Sequence, residues 1–209
     1  MAHGIADKDA EYVSSTTGPA IIPFMYLGAK HMVTGIDHIL FLFGVMFFLR
    51  RFTDIVVYVS LFSLGHSVTL IAGVLMNTGV NSSLVDAAIG VSIVYKAFDN
   101  LGGFDRFVGF RPEPRLAVLG FGLVHGLGLS TKVQDLGINP DGLLTNLLSF
   151  NVGVEVGQVV VLAIMLPALL AWQRSPVFGR TAVVVNWLIM VGGFILTGYH
   201  LLHYIAQRS

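Results

Sequence analysis

The chain contains no cysteine and few charged residues. Without cysteine, disulfides, thiolate zinc sites and iron–sulfur clusters are excluded. Only 11% of the 209 residues are charged and the formal net charge is zero, whereas soluble domains carry about 25% charged residues. Sparse, balanced charge argues against nucleic acid or an acidic substrate as a partner. The mean hydropathy of +0.78 indicates instead a membrane protein with several spans, whose surroundings are the lipid bilayer.

Apolar runs of roughly 18–25 residues, the length that crosses a bilayer, can be drawn six times along the chain. We place them at 24–49, 54–76, 83–100, 116–131, 143–171 and 181–205. The first 18 residues are polar. We therefore expect residues 1–20 to form an exposed tail and residues 21–209 a single transmembrane domain. The predicted fold is an all-α, polytopic membrane protein, folded as a six-helix transmembrane bundle.

Basic residues indicate how the bundle is oriented. Alternate connections carry eight of them, and the opposite side carries four. Because basic residues collect on the cytoplasmic side, we expect both the N and C termini outside and the arginine-bearing loops in the cytoplasm. The expected location is the cell inner membrane, crossed several times. A homo-oligomer and a partner in a membrane complex both stay open.

Two histidines and a carboxylate lie close together in the first apolar run. His31 and His38 are nearly two helical turns apart, so on one helix they share a face, and Asp37 precedes the second histidine. From the rise of about 1.5 Å per residue, His31 lies about 10 Å deep and His38 about 20 Å deep. Ionisable groups are costly inside hydrocarbon, so this group is a functional-site hypothesis.

Further histidines and acids fall at similar depths in the other runs. We expect two layers of polar side chains. The deeper layer contains Asp37, His38, His66, His125 and Glu155, and the shallower, outward layer contains His31, Asp86 and, as an open member, His200. Imidazole and carboxylate ligands suit nickel, cobalt, zinc, iron or copper better than magnesium or calcium. Asp37 either binds the ion or orients an imidazole that does. The sequence thus predicts an intramembrane site for a divalent transition-metal ion.

Several motifs together resemble the HupE/UreJ family of small membrane proteins. They are Gly28-Ala-Lys-His31, Gly35-Ile-Asp37-His38, Gly65-His66-Ser67-Val-Thr69-Leu70, Phe121-Gly-Leu-Val-His125-Gly126-Leu-Gly128 and Asn151-Val-Gly153-Val-Glu155-Val-Gly157-Gln158. Their layout is more similar to the second, UreJ-like branch. The resemblance implies a six-helix permease in which His31, Asp37 and His38 handle the metal, and some members are associated with nickel uptake.

A metal-ion permease of the nickel or cobalt type is the function that we predict, and two others stay open. An intramembrane metalloenzyme, either a zinc hydrolase or a multi-histidine oxidase, would use the ion for catalysis; a zinc ion, for example, activates water. An accessory membrane subunit would use the ion to hold helices together. We expect Lys132, in an outward connection, to be solvated. For His203, a position at the membrane interface and metal binding are equally expected.

Overall fold

The computed structural model describes residues 15–135 and 140–207, and in this part of the chain every regular element is a helix. The elements are α1 (Ile21–Thr34), α2 (Ile36–Met46), α3 (Phe52–Met76), α4 (Ser82–Asn100), a π-helical turn (Phe104–Val108), α5 (Pro114–Asp135), α6 (Leu143–Gln173) and α7 (Phe178–Ala206). The all-α prediction is confirmed. The predicted tail falls mostly on residues 1–14, outside the described residues.

Within the described ranges, four helices, α3, α5, α6 and α7, are long and apolar enough to cross a membrane. They make the chain a multi-pass membrane protein. The helix α4 has 19 residues and carries several charges, and α1 and α2 have 14 and 11 residues. The six-span bundle with both termini outside stays a prediction, in which α1 and α2 share the first span and α4 forms the third.

The first predicted span, 24–49, is wrong as a single helix. Helix α1 ends at Thr34 and α2 begins at Ile36, with Gly35 in extended backbone between them (φ −72°, ψ 97°). Glycine is a poor helix former because its backbone is the most flexible, which favours a break at this residue. The Gly35 amide still donates a hydrogen bond to the carbonyl of His31 at 2.9 Å. Breaks at membrane depth are tolerated where protein encloses them.

Glycines bring the helices together in close pairs, α1 with α6, α3 with α5 and α4 with α7. A Cβ atom added at Gly28 would clash with the backbone of Phe150, on the facing helix. One added at Gly126 would clash with the carbonyl of His66. Small residues allow such close approach between membrane helices. The contact at Gly126 places the neighbouring residue, His125, beside the segment of α3 that carries His66.

Aromatic rings form the apolar core next to these histidines. Phe41 and Phe62 are buried, and their ring centroids are 5.2 Å apart. Phe41 lies 5.6 Å from Phe121 and 5.2 Å from His125, again between ring centroids. Rings from α2, α3 and α5 therefore enclose the imidazoles and keep solvent away from that side.

Candidate metal centre

Three histidines from three different helices converge inside the bundle. His31 lies in the last turn of α1, His38 in the first turn of α2 and His66 in the middle of α3. Each offers a nitrogen atom, and these atoms all lie within 4.8 Å of one another. His38 and His66 are only 2% and 1% exposed. We call His31, His38 and His66 the three-histidine cluster.

The break at Gly35 brings two of these histidines together. On a continuous helix, seven residues correspond to about 10 Å along the axis, yet the ring centroids of His31 and His38 are 4.9 Å apart. The prediction of a separate, shallower layer for His31 is therefore wrong, because the chain does not continue straight through Gly35. A Cβ atom at Gly35 would lie 3.0 Å from His38 Nδ1 and 3.1 Å from Asp37 Oδ1. The site thus has little room for a larger residue there.

Asp37 fixes the tautomer of His38. Its Oδ1 lies 3.1 Å from His38 Nδ1 and also accepts a hydrogen bond from the His38 backbone amide at 3.0 Å. An ionised carboxylate only accepts hydrogen bonds, so Nδ1 carries the hydrogen and Nε2 presents a lone pair. Histidines that bind metals commonly hold their other nitrogen on such a carboxylate. The geometry favours the orienting role of Asp37 over direct binding.

His125 of α5 adds a fourth buried imidazole, with its ring centroid 5.0 Å from that of His38. Its Nε2 lies 3.1 Å from the hydroxyl of Ser92, on α4. That hydroxyl donates its single hydrogen to the carbonyl of Ile89 at 2.7 Å. Nε2 of His125 must then be the donor to Ser92, which leaves the lone pair on Nδ1.

Five buried imidazole nitrogens in this region have no hydrogen-bond partner among the described residues: His31 Nε2, His38 Nε2, His66 Nδ1, His66 Nε2 and His125 Nδ1. Buried polar atoms are bonded in the great majority of cases, so five exceptions side by side indicate a place for a ligand. Two nitrogens bound to one ion at about 2.1 Å lie at most about 4.2 Å apart. In tetrahedral geometry that separation is about 3.4 Å, so the nitrogens of the three-histidine cluster, now within 4.8 Å of one another, approach by up to about 1.4 Å to bind one ion.

Asp86 lies in a second group of polar side chains with Lys132 and His200, which we call the outer cluster. Lys132 Nζ donates to Asp86 Oδ1 at 2.9 Å, and His200 Nδ1 lies 3.7 Å from Asp86 Oδ2. The expectation that Lys132 is solvated is wrong, because its side chain is ion-paired and only 20% exposed. The outer cluster and Asp37 line a cavity of about 20 Å³, which is room for one water molecule. Asp37 therefore connects the two clusters.

Glu155 and His203 lie apart from both clusters. On α6, Gln158 is buried and reaches the Val59 carbonyl of α3, whereas Glu155 is exposed and lines a groove between these two helices. The predicted convergence of Glu155 with the histidines is not seen, because Glu155 lies on the exposed side of α6 at this groove. His203 Nδ1 lies 3.0 Å from the hydroxyl of Ser83.

Sequence reasoning missed the break at Gly35 and the role of Ser92. A glycine between two histidines inside an apolar run is a signal for a local break, and Gly35 gives that signal in the sequence. Ser92 gives no comparable signal, since its distance to His125 depends on how α4 packs against α5. Nothing in the sequence distinguishes it from serines that bond only within their own helix.

The comparison with known families covers nearly the whole chain. A family model described as HupE / UreJ protein matches residues 7–208, which include all the motifs that carry the histidines. No curated protein and no solved structure matches the chain. The resemblance drawn from the motifs is confirmed, and the chain belongs to the HupE/UreJ family.

Proposed function

We propose that this protein is a permease for a divalent transition-metal ion, with nickel and cobalt as the first candidates. The family to which the chain belongs is linked to nickel and cobalt transport. The observation that carries the proposal is the group of imidazole nitrogens around the break between α1 and α2 that have no hydrogen-bond partner among the residues the structure describes. The ion is the substrate, and it is bound in passing by His31, His38 and His66, with His125 as a further ligand.

The donor chemistry of the three-histidine cluster suits an ion that has to leave again. Neutral imidazoles bind nickel, cobalt, zinc and copper well, whereas magnesium and calcium prefer oxygen. No thiolate is available, because the chain has no cysteine. The carboxylate of Asp37 is bonded to His38 and compensates part of the charge of a divalent ion through that ring.

The helix break supports transport over a purely structural role. Transporters commonly place their substrate at interrupted membrane helices, where helix ends face the site. The C-terminal end of α1 carries partial negative charge next to His31, and the carboxylate of Asp37 offsets the partial positive charge of the N-terminal end of α2 next to His38. The extended backbone of Gly35 is also a natural place for the two helix segments to move relative to each other.

The outer cluster provides the access path in this proposal. Asp86 and His200 offer an oxygen and a nitrogen at a cavity that also borders Asp37. Before an ion arrives, the ammonium of Lys132 neutralises Asp86. An incoming divalent cation displaces Lys132, is captured by Asp86 and His200, and moves past Asp37 to the three-histidine cluster.

Metal uptake by purified protein in lipid vesicles tests the proposal. We expect saturable uptake of Ni²⁺ or Co²⁺ by the wild-type protein, a fall to background with His38→Ala, and nearly unchanged uptake with His203→Ala. His203 is the matched control, because it lies outside the three-histidine cluster and loses the same ring. Thermal unfolding in the absence of metal verifies that both variants are folded.

Two results would contradict the proposal that the protein is a permease. One is equal uptake by wild type and a folded His38→Ala variant. The other is an ion that wild-type protein retains tightly through purification without any flux across the vesicle membrane, which would favour the accessory subunit.

A further inference from the structure

A cavity of about 440 Å³ lies at the end of the bundle opposite the outer cluster. It is bounded by the end of α4, the π-helical turn and the first half of α7. Its wall is apolar and largely aromatic, and its main residues are Phe48, Phe98, Phe107, Phe178, Trp187 and Met190. The permease proposal uses none of these residues, so the cavity needs a separate explanation.

The cavity has the dimensions of an acyl-chain site. Along α7 its lining runs from Phe178 to Met190, which is about 18 Å at 1.5 Å per residue. One leaflet of the hydrocarbon core is about 15 Å deep, half of its total thickness. The lined stretch thus matches the depth of one leaflet to within about 3 Å, and an acyl chain that enters at the level of Phe178 follows most of it within its own leaflet.

The polar amides at the cavity already have partners inside the protein. Asn100 Nδ2 donates to the carbonyl of Gly44 at 2.8 Å and to Asn186 Oδ1 at 2.9 Å. Asn186 Nδ2 donates to the carbonyl of Ala182 at 2.9 Å. What the cavity offers to a ligand is thus an apolar wall and one charged side chain, that of Arg106.

Arg106 differs from its neighbour Arg111 in having no carboxylate partner within the described part of the chain. Arg111 Nε donates to Asp99 at 2.8 Å, whereas Arg106 forms no ion pair with any residue in the ranges 15–135 and 140–207. The guanidinium of Arg106 lies 5.5 Å from the centroid of the Phe107 ring. This stacking holds the cation at the cavity without neutralising its charge.

The surrounding end of the bundle is also cationic. Its loops and helix ends carry eight basic residues against four acidic ones, and the basic ones are Arg50, Arg51, Lys96, Arg106, Arg111, Arg115, Arg174 and Arg180. Basic pockets between membrane helices on the cytoplasmic side attract anionic lipid headgroups. Charge complementarity thus favours an anionic lipid over a zwitterionic one.

We propose that this cavity binds an anionic phospholipid, with one acyl chain along α7 between Phe98 and Trp187 and the phosphate at Arg106. The site is separate from the metal path, so a failure of this proposal leaves the permease untouched.

Tryptophan fluorescence tests the lipid site directly, because Trp187 lines the cavity and the chain has only one other tryptophan, Trp172. In a Trp172→Phe background, the protein is placed in phosphatidylcholine vesicles that contain either brominated phosphatidylglycerol or brominated phosphatidylcholine. We expect phosphatidylglycerol to quench Trp187 at about fivefold lower mole fraction, the preference expected for one basic residue at an anionic headgroup.

Two variants assign the preference to the cavity. Arg106→Gln is expected to remove it, whereas Arg50→Gln, which deletes the same charge from an exposed position at the same end, is expected to keep it. Gly179→Leu adds an apolar side chain to the cavity wall, at a position where a Cβ atom meets nothing within 4 Å. We expect it to reduce quenching by both lipids. Equal quenching by the two lipids, or a preference that Arg106→Gln leaves intact, would overturn the proposal.

Discussion

Two groups of ionisable side chains, one around the buried Asp99 and one formed by the three-histidine cluster, lie at different levels of this bundle and differ in how their polar atoms are satisfied. At one end of α4, Asp99 accepts from Lys96 at 2.6 Å through one oxygen and from Arg111 at 2.8 Å through the other. In the three-histidine cluster, by contrast, nitrogens of all three rings lack a partner among the described residues.

The difference separates a structural contact from a binding site. Both groups are costly to bury in a membrane. Around Asp99 the protein provides the counter-charges itself, so the group is complete and ties α4 to the following loop. The histidines are held in place by Asp37 and by close helix contacts, but their lone pairs are left for something else. Burial of an ionisable residue is by itself weak support for a binding site. Buried polar atoms without a hydrogen-bond partner are stronger support.

The largest effect that we expect concerns stability at Asp99. Asp99→Ala leaves Lys96 without its partner in a poorly hydrated place, and we expect a loss of about 3 kcal/mol in the free energy of unfolding, as for other broken buried ion pairs. Metal affinity should stay within about twofold, since the variant does not touch the histidines. Unfolding in detergent and metal titration of the folded protein measure the two quantities. If Asp99→Ala lost much of its metal affinity with unchanged stability, the group around Asp99 would be a binding site and not a structural contact.

The next effect concerns metal affinity at Asp37. Asp37→Asn removes the negative charge that orients His38, and we expect metal affinity to fall about 10- to 100-fold, as for other carboxylates behind metal-binding histidines. Asp105→Asn is the matched control, because Asp105 is exposed in the connection after α4. Metal titration distinguishes them. Equal affinities for the two variants would mean that Asp37 has no connection to the ion.

A smaller effect is expected at Ser92. Ser92→Ala removes the acceptor that fixes the tautomer of His125, and a neutral hydroxyl should matter less than a carboxylate, so we expect about a threefold loss of affinity. Ser60→Ala, at an exposed position on α3, serves as the control. If Ser92→Ala binds metal as tightly as the wild type does, His125 is not a ligand and the site consists of the three-histidine cluster alone.

Much of the fold could be predicted because long apolar runs mark membrane helices. The run drawn at 54–76 corresponds to α3 and the run at 143–171 to α6, each within two residues. The break at Gly35 could not be predicted from hydropathy, because one residue in extended conformation hardly changes the mean hydropathy of its surroundings. Backbone conformation at that residue depends on the packing of His31, Asp37 and His38 around it.

The candidate site could be predicted only in part. Counting residues along a helix gives the expected depth of a side chain in the membrane, but not the side of the bundle that it faces. His38, His66 and His125 lie at one depth and meet as expected. Glu155 has a similar depth on α6, but it faces away from the bundle. The partner of Asp86 could not be found either, since the ion pair with Lys132 joins two helices whose packing no single sequence reveals.

X-ray absorption spectroscopy of the nickel-loaded protein tests the central claim most directly, because it counts the imidazoles around the ion. The proposed site predicts at least three histidine nitrogens at about 2.0–2.1 Å, and one fewer after His66→Ala. An ion surrounded by oxygen alone, or a spectrum that His66→Ala leaves unchanged, would contradict a metal centre in the three-histidine cluster.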